Sequence, residues 1–196
     1  YVHWPDGCTP IEEAMAALVR QRDAGKIAAI GISNFSDTQI RAAAEVTDIA
    51  AVQMQFSLIN RDVLAQVRPT LEELNIPLVA WGGLTKGLLT GKFSPQTQFP
   101  EDDNRHRDPD FLGERFLANL KVADGLKTLS TRLSRTPAQI AIRWLLDSPG
   151  TTAVLAGAKT TEQVLENCGA SGWQLGKEDY QFLERLADEA GSPAAN

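Results

Sequence analysis

The sequence predicts an α/β fold built on a parallel sheet, and three observations carry that expectation. Short apolar runs alternate with capped, amphipathic helical patterns along the chain. The runs start near positions 27, 51 and 77, a spacing of roughly 25 residues, the size of one strand-helix unit. The clearest of them, Ile27 to Ser33 (IAAIGIS), is apolar almost throughout rather than alternating, as in a strand covered on both faces.

Each element follows from local chemistry. Tyr1 to Trp4 reads as a short strand ending in His3, followed by an Asp6-Gly7 turn. Thr9-Pro10-Ile11-Glu12 has the form of a capping box with Pro at the first helical position. Ile11, Met15, Leu18 and Val19 mark one face of that helix, and Gly25 closes it. Ser36-Asp37-Thr38-Gln39 caps a second helix running to about Val46. Ala51 to Phe56 is the next strand. A helical stretch broken at Pro69 ends near Asn75, and the strand Pro77 to Trp81 follows.

The rhythm then breaks. Residues 86–115 form a long polar segment without sustained periodicity, and such loops are uncommon in compact domains and often functional. A helix is expected over 116–133. Thr136-Pro137-Ala138-Gln139 caps another, made largely buried by Ile140, Ile142, Trp144, Leu145 and Leu146. Thr152 to Ala156 is the last strand, Thr160-Thr161-Glu162-Gln163 opens the next helix, and Lys177 to Glu189 is a terminal amphipathic helix. The tail 191–196 is expected to be loose. Five strands fit either an open doubly wound sheet or part of a β/α barrel. No glycine-rich dinucleotide fingerprint follows any of them, as an open nucleotide-binding sheet would require.

Composition narrows the function classes. The 196 residues suffice for one domain with a substantial core. Hydrophobic content of 43% and charged content of 22% are those of an ordinary globular protein. A net charge of −6 argues against a nucleic-acid surface, and no apolar run approaches a membrane span. Cys8 and Cys168 lack metal or redox spacing and fit reduced, cytoplasmic thiols.

Five ordered segments resemble the aldo-keto reductase family. Val2-His3-Trp4-Pro5-Asp6 resembles its strand-four signature, and Gly25-Lys26-Ile27 through Gly31-Ile32-Ser33-Asn34-Phe35 its GKI…GxSNF segment. Gln53 within AVQMQFSL resembles the strand-six glutamine, and WGGLTKGLLTG from Trp81 to Gly91 the stretch after strand seven. Gly157-Ala158-Lys159, with Gln163 and Asn167, resembles the family's closing motif. The resemblance implies a parallel (β/α) barrel of TIM type, present here only in part, about five of eight β-α units. Residues 1–190 would be the C-terminal part of that barrel.

The resemblance also implies the chemistry: reduction of an aldehyde or ketone with NADP(H), NAD being possible, and no metal. Hydride transfer builds negative charge on the carbonyl oxygen, so a proton donor and oriented dipoles are needed there. The family's Asp, Tyr and Lys belong to strands ahead of Tyr1. Of its catalytic set only His3, which orients the carbonyl, has a counterpart here. Ser33, Asn34 and Gln53 would hold the nicotinamide carboxamide, although a Ser-Asn pair also simply starts turns. Trp81 stands where the family places a stacking aromatic, usually Tyr. Leu84 and Lys86 lie in the region that wraps the pyrophosphate. Lys159, within the Gly157 motif, precedes a helix cap, where a cation opposes the helix dipole and a bound anion such as the 2′-phosphate relieves the conflict. Gln163 and Asn167, four apart on one helix face, would meet the adenine side. Two other readings share the fold: a non-catalytic, cofactor-binding regulatory subunit, and a truncated homologue that self-associates through uncovered sheet edges.

Overall fold

Parallel pairing organises the chain in the computed structural model, which describes residues 1–191. Strands β1 (Gly31–Ser33), β2 (Ala51–Gln55), β3 (Leu78–Trp81) and β4 (Thr151–Leu155) form one sheet in chain order, each parallel to its neighbour. Among the described residues four strands are present where five were expected. The segment at Val2 is reduced to a single parallel bridge with Ile32, in which the Val2 amide donates to the Gly31 carbonyl (3.0 Å) and the Ser33 amide to the Val2 carbonyl (2.9 Å). The expected strand from Ile27 shortens to its last three residues, because β2 begins level with Gly31 and leaves little backbone to pair earlier.

The helices are α1 (Ile11–Asp23), α2 (Asp37–Val46), α3 (Val63–Gln66), α4 (Arg68–Glu73), α5 (Gly113–Leu133), α6 (Pro137–Asp147), α7 (Thr161–Cys168) and α8 (Lys177–Gly191). The capping boxes at Ser36/Gln39 and Thr136/Gln139 form in full. The one expected at Thr9 does not, and α1 starts without a side-chain cap. Asp6 is the reason: its carboxylate accepts from the amides of Cys8 (3.0 Å) and Thr9 (2.8 Å) and from the Thr9 hydroxyl (2.6 Å), so a local Asx-type turn takes the hydroxyl first. The break at Pro69 is real and separates α3 from α4. The terminal helix runs two residues past Glu189 and takes in Gly191, the first residue of the expected loose tail, whose remainder (192–196) lies outside the described residues.

Strand period and parallel register sort side chains onto two faces. Ile32, Val52, Leu78 and Ala80 point to the helices and are buried. The opposite face carries Ser33, Gln53, Val79 and Ala153 in one row, then Gln55, Trp81 and Leu155 in the next. Outside β4 no strand pairs among the described residues, and Leu155 is 48% exposed. No described helix is long and apolar enough to cross a membrane.

Trp144 closes the core on the helix side. It is fully buried on α6, stacks on Tyr180 of α8 at 5.9 Å and lies 5.2 Å from Phe56 beyond β2. Its indole donates to Glu184 (3.0 Å), which also accepts from Arg61 (2.7 Å). One side chain thus ties the terminal helix to the sheet. Trp144→Phe keeps an aromatic but loses that bond and leaves a void, so it is expected to lower unfolding stability by about 2–3 kcal/mol. Chemical denaturation checks this; a change under about 0.5 kcal/mol would be an ordinary surface effect.

Candidate functional site

Barrel-type active sites are built where parallel strands end, because the turns leaving their carboxyl ends converge there. Here the ends of β1, β2 and β3 bring together Ser33, Asn34, Gln53 and Trp81. Ser33 is fully buried, and its hydroxyl lies 3.5 Å from the Gln53 side-chain oxygen. Asn34 adopts a left-handed backbone (φ 62°), which Asn tolerates better than most residues. Its side-chain NH2 donates to the Ser33 hydroxyl and to the His3 carbonyl, both at 2.9 Å, and its oxygen accepts the Trp81 indole N–H at 3.0 Å. His3 is exposed, its ring edge-on to Trp4 at 6.2 Å, and it joins this group through its backbone.

Trp81 walls two cavities. The larger, about 520 Å3, lies between Trp81, Lys86, Asp108, Asp110 and Arg115. The smaller, about 230 Å3, lies toward Trp4, Asn34, Met54 and Asp62. Behind Trp81 the chain turns sharply: Thr85, Lys86 and Gly87 are all left-handed (φ 45°, 50° and 90°), with Leu84 just before them. Consecutive non-glycine residues in this region are strained, and such strain concentrates at ligand sites. The turn sets Lys86 at the cavity, where its ammonium pairs with Asp108 at 2.5 Å.

The Gly157, Lys159, Gln163 and Asn167 group forms a separate cluster where β4 passes into α7. Thr160 caps the helix by accepting from the Gln163 amide (3.3 Å). The Gln163 side chain accepts from the Lys159 amide (2.7 Å), and Asn167 donates to the Gly157 carbonyl (3.4 Å). Both side chains therefore brace the turn that presents Lys159. The long loop reaches toward the same place. Asp103 is held well below the usual carboxylate range, first by a hydrogen bond from the Arg105 guanidinium, then by the Arg105 amide, with a smaller pull from Lys159. Among the described residues no group of three or more His, Cys, Asp or Glu side chains is placed to hold a metal ion.

The aldo/keto reductase family model matches residues 1–188. The chain belongs to that family. The aldo-keto reductase YhdN of Bacillus subtilis is 36% identical over 188 residues, covering 95% of this chain and 57% of that protein. The aldo-keto reductase yakc [NADP(+)] of Schizosaccharomyces pombe is 33% identical over 193 residues, covering 97% and 57%. The glycerol dehydrogenase AKR11B4 from Gluconobacter oxydans superposes with a TM-score of 0.90 at 34% identity, covering 98% of this chain and 59% of that one. The chain thus spans under two thirds of the length of these relatives. Its four parallel strands are consistent with the TIM-type fold of aldo-keto reductases.

Sequence reasoning missed several residues of the candidate site: Gln55, Asn60, Asp110 and Arg115, all at the larger cavity. Asp110 is buried and accepts from Asn60 (3.1 Å) and Arg115 (2.9 Å). Asp110 and Arg115 escaped notice because residues 86–115 show no sustained periodicity, and Gln55 and Asn60 because they lie at and just past the end of β2 without a matching motif of their own. The overlooked signal was the aromatic spacing. Phe93, Phe99, Phe111 and Phe116 pack with centroids 5.2–6.5 Å apart, and the Arg105 guanidinium sits 4.7 Å from the Phe99 centroid. The loop has its own small core. His106 lies on its exposed side and contacts the Phe99 carbonyl (3.0 Å). Phe99→Ala is expected to speed tryptic cleavage after Arg105 and Arg107 by roughly tenfold through local opening, with the global unfolding transition little changed. Unaltered cleavage would mean that the aromatic packing does not hold the loop.

Proposed function

We propose that this chain supplies the nicotinamide-nucleotide-binding part of an NADP(H)-dependent reductase acting on a small aldehyde or ketone. The observation that carries the reading is the convergence of Ser33, Gln53 and Trp81 on one sheet face, at one rim, beside a cavity bordered by Lys86. The residues fit a dinucleotide: a large aromatic wall for a flat ring, amide and hydroxyl groups for a carboxamide, and cations for phosphates. When bound, the nicotinamide supplies the hydride.

The chain's own residues then bind and orient. Trp81 offers the ring face, and Ser33, Asn34 and Gln53 select which side of the ring meets the substrate. Leu84 and Lys86 would lie along a bound pyrophosphate, and Lys86 would exchange its Asp108 partner for it. The Gly157–Lys159 turn, braced by Gln163 and Asn167, places a cation at the start of α7, a favourable point for a 2′-phosphate. His3 orients the carbonyl. The name of the Schizosaccharomyces pombe relative carries NADP(+), which supports that cofactor over NAD. Two exposed free thiols, Cys8 and Cys168, fit a reducing cytoplasm.

His3 is the only counterpart here of the family's catalytic set, so residues 1–196 alone are expected to bind without turnover. Quenching of tryptophan fluorescence by NADPH should be seen in the wild type and fall sharply in Trp81→Phe. Adding an aldehyde should produce no loss of NADPH absorbance. A preparation of this chain that oxidises NADPH, or one that shows no quenching, contradicts the reading. Lys159→Ala is expected to weaken NADPH by about tenfold while leaving NADH nearly unchanged, as for one charge-assisted contact. Equal losses for both would remove Lys159 from the 2′-phosphate.

One further observation favours self-association of the isolated chain. Leu155 on the outer strand and Val164 and Leu165 on α7 are 48%, 50% and 68% exposed beside an unpaired sheet edge. Sedimentation of the same preparation should show species larger than a monomer.

A further inference from the structure

A β-branched residue with a left-handed backbone is a rare and costly combination, and Thr85 has φ 45°. Glycine or asparagine adopts that conformation more readily. The side chain shows what threonine adds there. Its hydroxyl is bonded at 3.1 Å to the Ser57 hydroxyl, in a contact where Thr85 is 5% and Ser57 0% exposed. The same Ser57 oxygen accepts from the amides of Ile59 (3.2 Å) and Asn60 (2.9 Å). Shielded from water, such a pair holds its geometry more firmly than an exposed one. From it, contacts run both ways around the larger cavity and meet. Lys86, the residue after Thr85, pairs with Asp108 at 2.5 Å. Asp108 accepts from the Asp110 amide (2.9 Å), the Asp110 side chain accepts from Asn60 (3.1 Å), and the Asn60 amide returns to Ser57. This closed ring joins the turn after β2, the turn after β3 and the long loop. Asn60, Thr85, Lys86, Asp108 and Asp110 line the cavity, with Ser57 behind them.

We propose that Ser57 and Thr85 are positioning residues whose buried hydroxyl pair fixes the left-handed turn carrying Lys86 relative to the loop carrying Asp108 and Asp110. For what the cavity binds, this rests on its reading as the place of the pyrophosphate. Lys86 can leave Asp108 for an incoming phosphate and still point into the cavity only while its backbone is held by something else. The Thr85–Ser57 bond is that support. The Asn60–Asp110 bond keeps the loop attached in the same event. The Lys86 side chain is 56% exposed, so the ring opens at a wet link and stays closed at its driest one. Threonine at position 85 thus trades an easy backbone for a fixed cation.

Substitutions at position 85 separate the hydroxyl from the shape. Thr85→Val keeps the branched shape and removes the bond, Thr85→Ser keeps the bond, and Thr85→Gly removes both the bond and the backbone strain. Residues 1–196 without ligand are followed first, by hydrogen exchange at the amides of Gly87, Asn60 and Asp110. These are bonded to the Leu84 carbonyl, the Ser57 hydroxyl and the Asp108 carboxylate. The Val52 amide, bonded to the Pro77 carbonyl within the sheet, is the reference for global opening. Thr85→Val and Thr85→Gly should speed the three amides by roughly fivefold relative to Val52, the effect of losing one hydrogen bond. Thr85→Ser should stay within about twofold of wild type. The reverse order, with Thr85→Val like wild type and Thr85→Ser fast, means that position 85 only fills space and overturns the proposal. Ser57→Ala should match Thr85→Val at Gly87; if it does not fold, the Thr85 series decides alone. Titration with inorganic pyrophosphate is the second arm, read by tryptophan fluorescence because Trp81 walls the same cavity. Binding should weaken by roughly fivefold in Thr85→Val and Thr85→Gly and hold in Thr85→Ser. A Thr85→Gly protein that binds as tightly as wild type overturns the role of Thr85 in placing Lys86. If exchange responds as expected and wild type binds no pyrophosphate, the phosphate reading fails while the positioning role stands.

Discussion

The site depends on one constraint, the register of four parallel strands. Side chains alternate at a period of two, so the pairing of Ser33 with Gln53 and of Gln53 with Val79 puts all three on the same face. A slip of one residue in β2 would carry Gln53 to the helix side and Val52 into the open. Such a slip would expose a fully buried valine and bury an amide without a partner, two penalties in the same direction. The strand-end row is therefore enforced by the core on its reverse side: Ile32, Val52, Leu78 and Ala80 hold register because they must stay buried.

The remainder of the site is set by turns rather than by strands, and its order has different sources. Behind β3, the left-handed run at Thr85, Lys86 and Gly87 swings Lys86 toward the cavity. Buried Leu88 and Leu89 anchor the far side of that run, which gives the strained residues a fixed support. The following loop is held by stacked and edge-on phenylalanines with Arg105 laid across them. At β4, a short helix cap does the same work with hydrogen bonds alone. A rigid wall and a rigid cation thus flank the strand-end row from both sides.

These sources explain what could be read from the chain in advance. The helices with capping boxes, such as Ser36/Gln39 and Thr136/Gln139, were legible because cap chemistry is local. The strand-end residues Ser33, Asn34, Gln53 and Trp81 were picked out by the family resemblance rather than by periodicity. The Thr9 cap was misread because a competing carboxylate three residues upstream takes the hydroxyl, a contest that pattern matching does not weigh. Asp110, Asn60 and Arg115 were not legible from periodicity. Their contacts cross 50 positions for Asn60 and Asp110 and depend on an aromatic cluster with no regular period. Periodicity detects regular elements; it is blind to a loop that folds on itself.

The two cations that the proposed function sets against phosphates, Lys86 and Lys159, differ in how freely they can act. Lys86 is engaged by Asp108, whose side chain is only 14% exposed and also accepts from the Asp110 amide at 2.9 Å. An incoming phosphate must compete with that carboxylate, so Lys86 contributes the difference between two pairings rather than the whole of one. Lys159 is exposed, and its only described electrostatic neighbour among the site residues is Asp103, already occupied by Arg105. Its charge is thus more fully available. On the proposed reading, a 2′-phosphate at Lys159 would discriminate more strongly than the pyrophosphate at Lys86. On the proposed reading, positioning falls to the strand ends and charge selection to the β4–α7 turn.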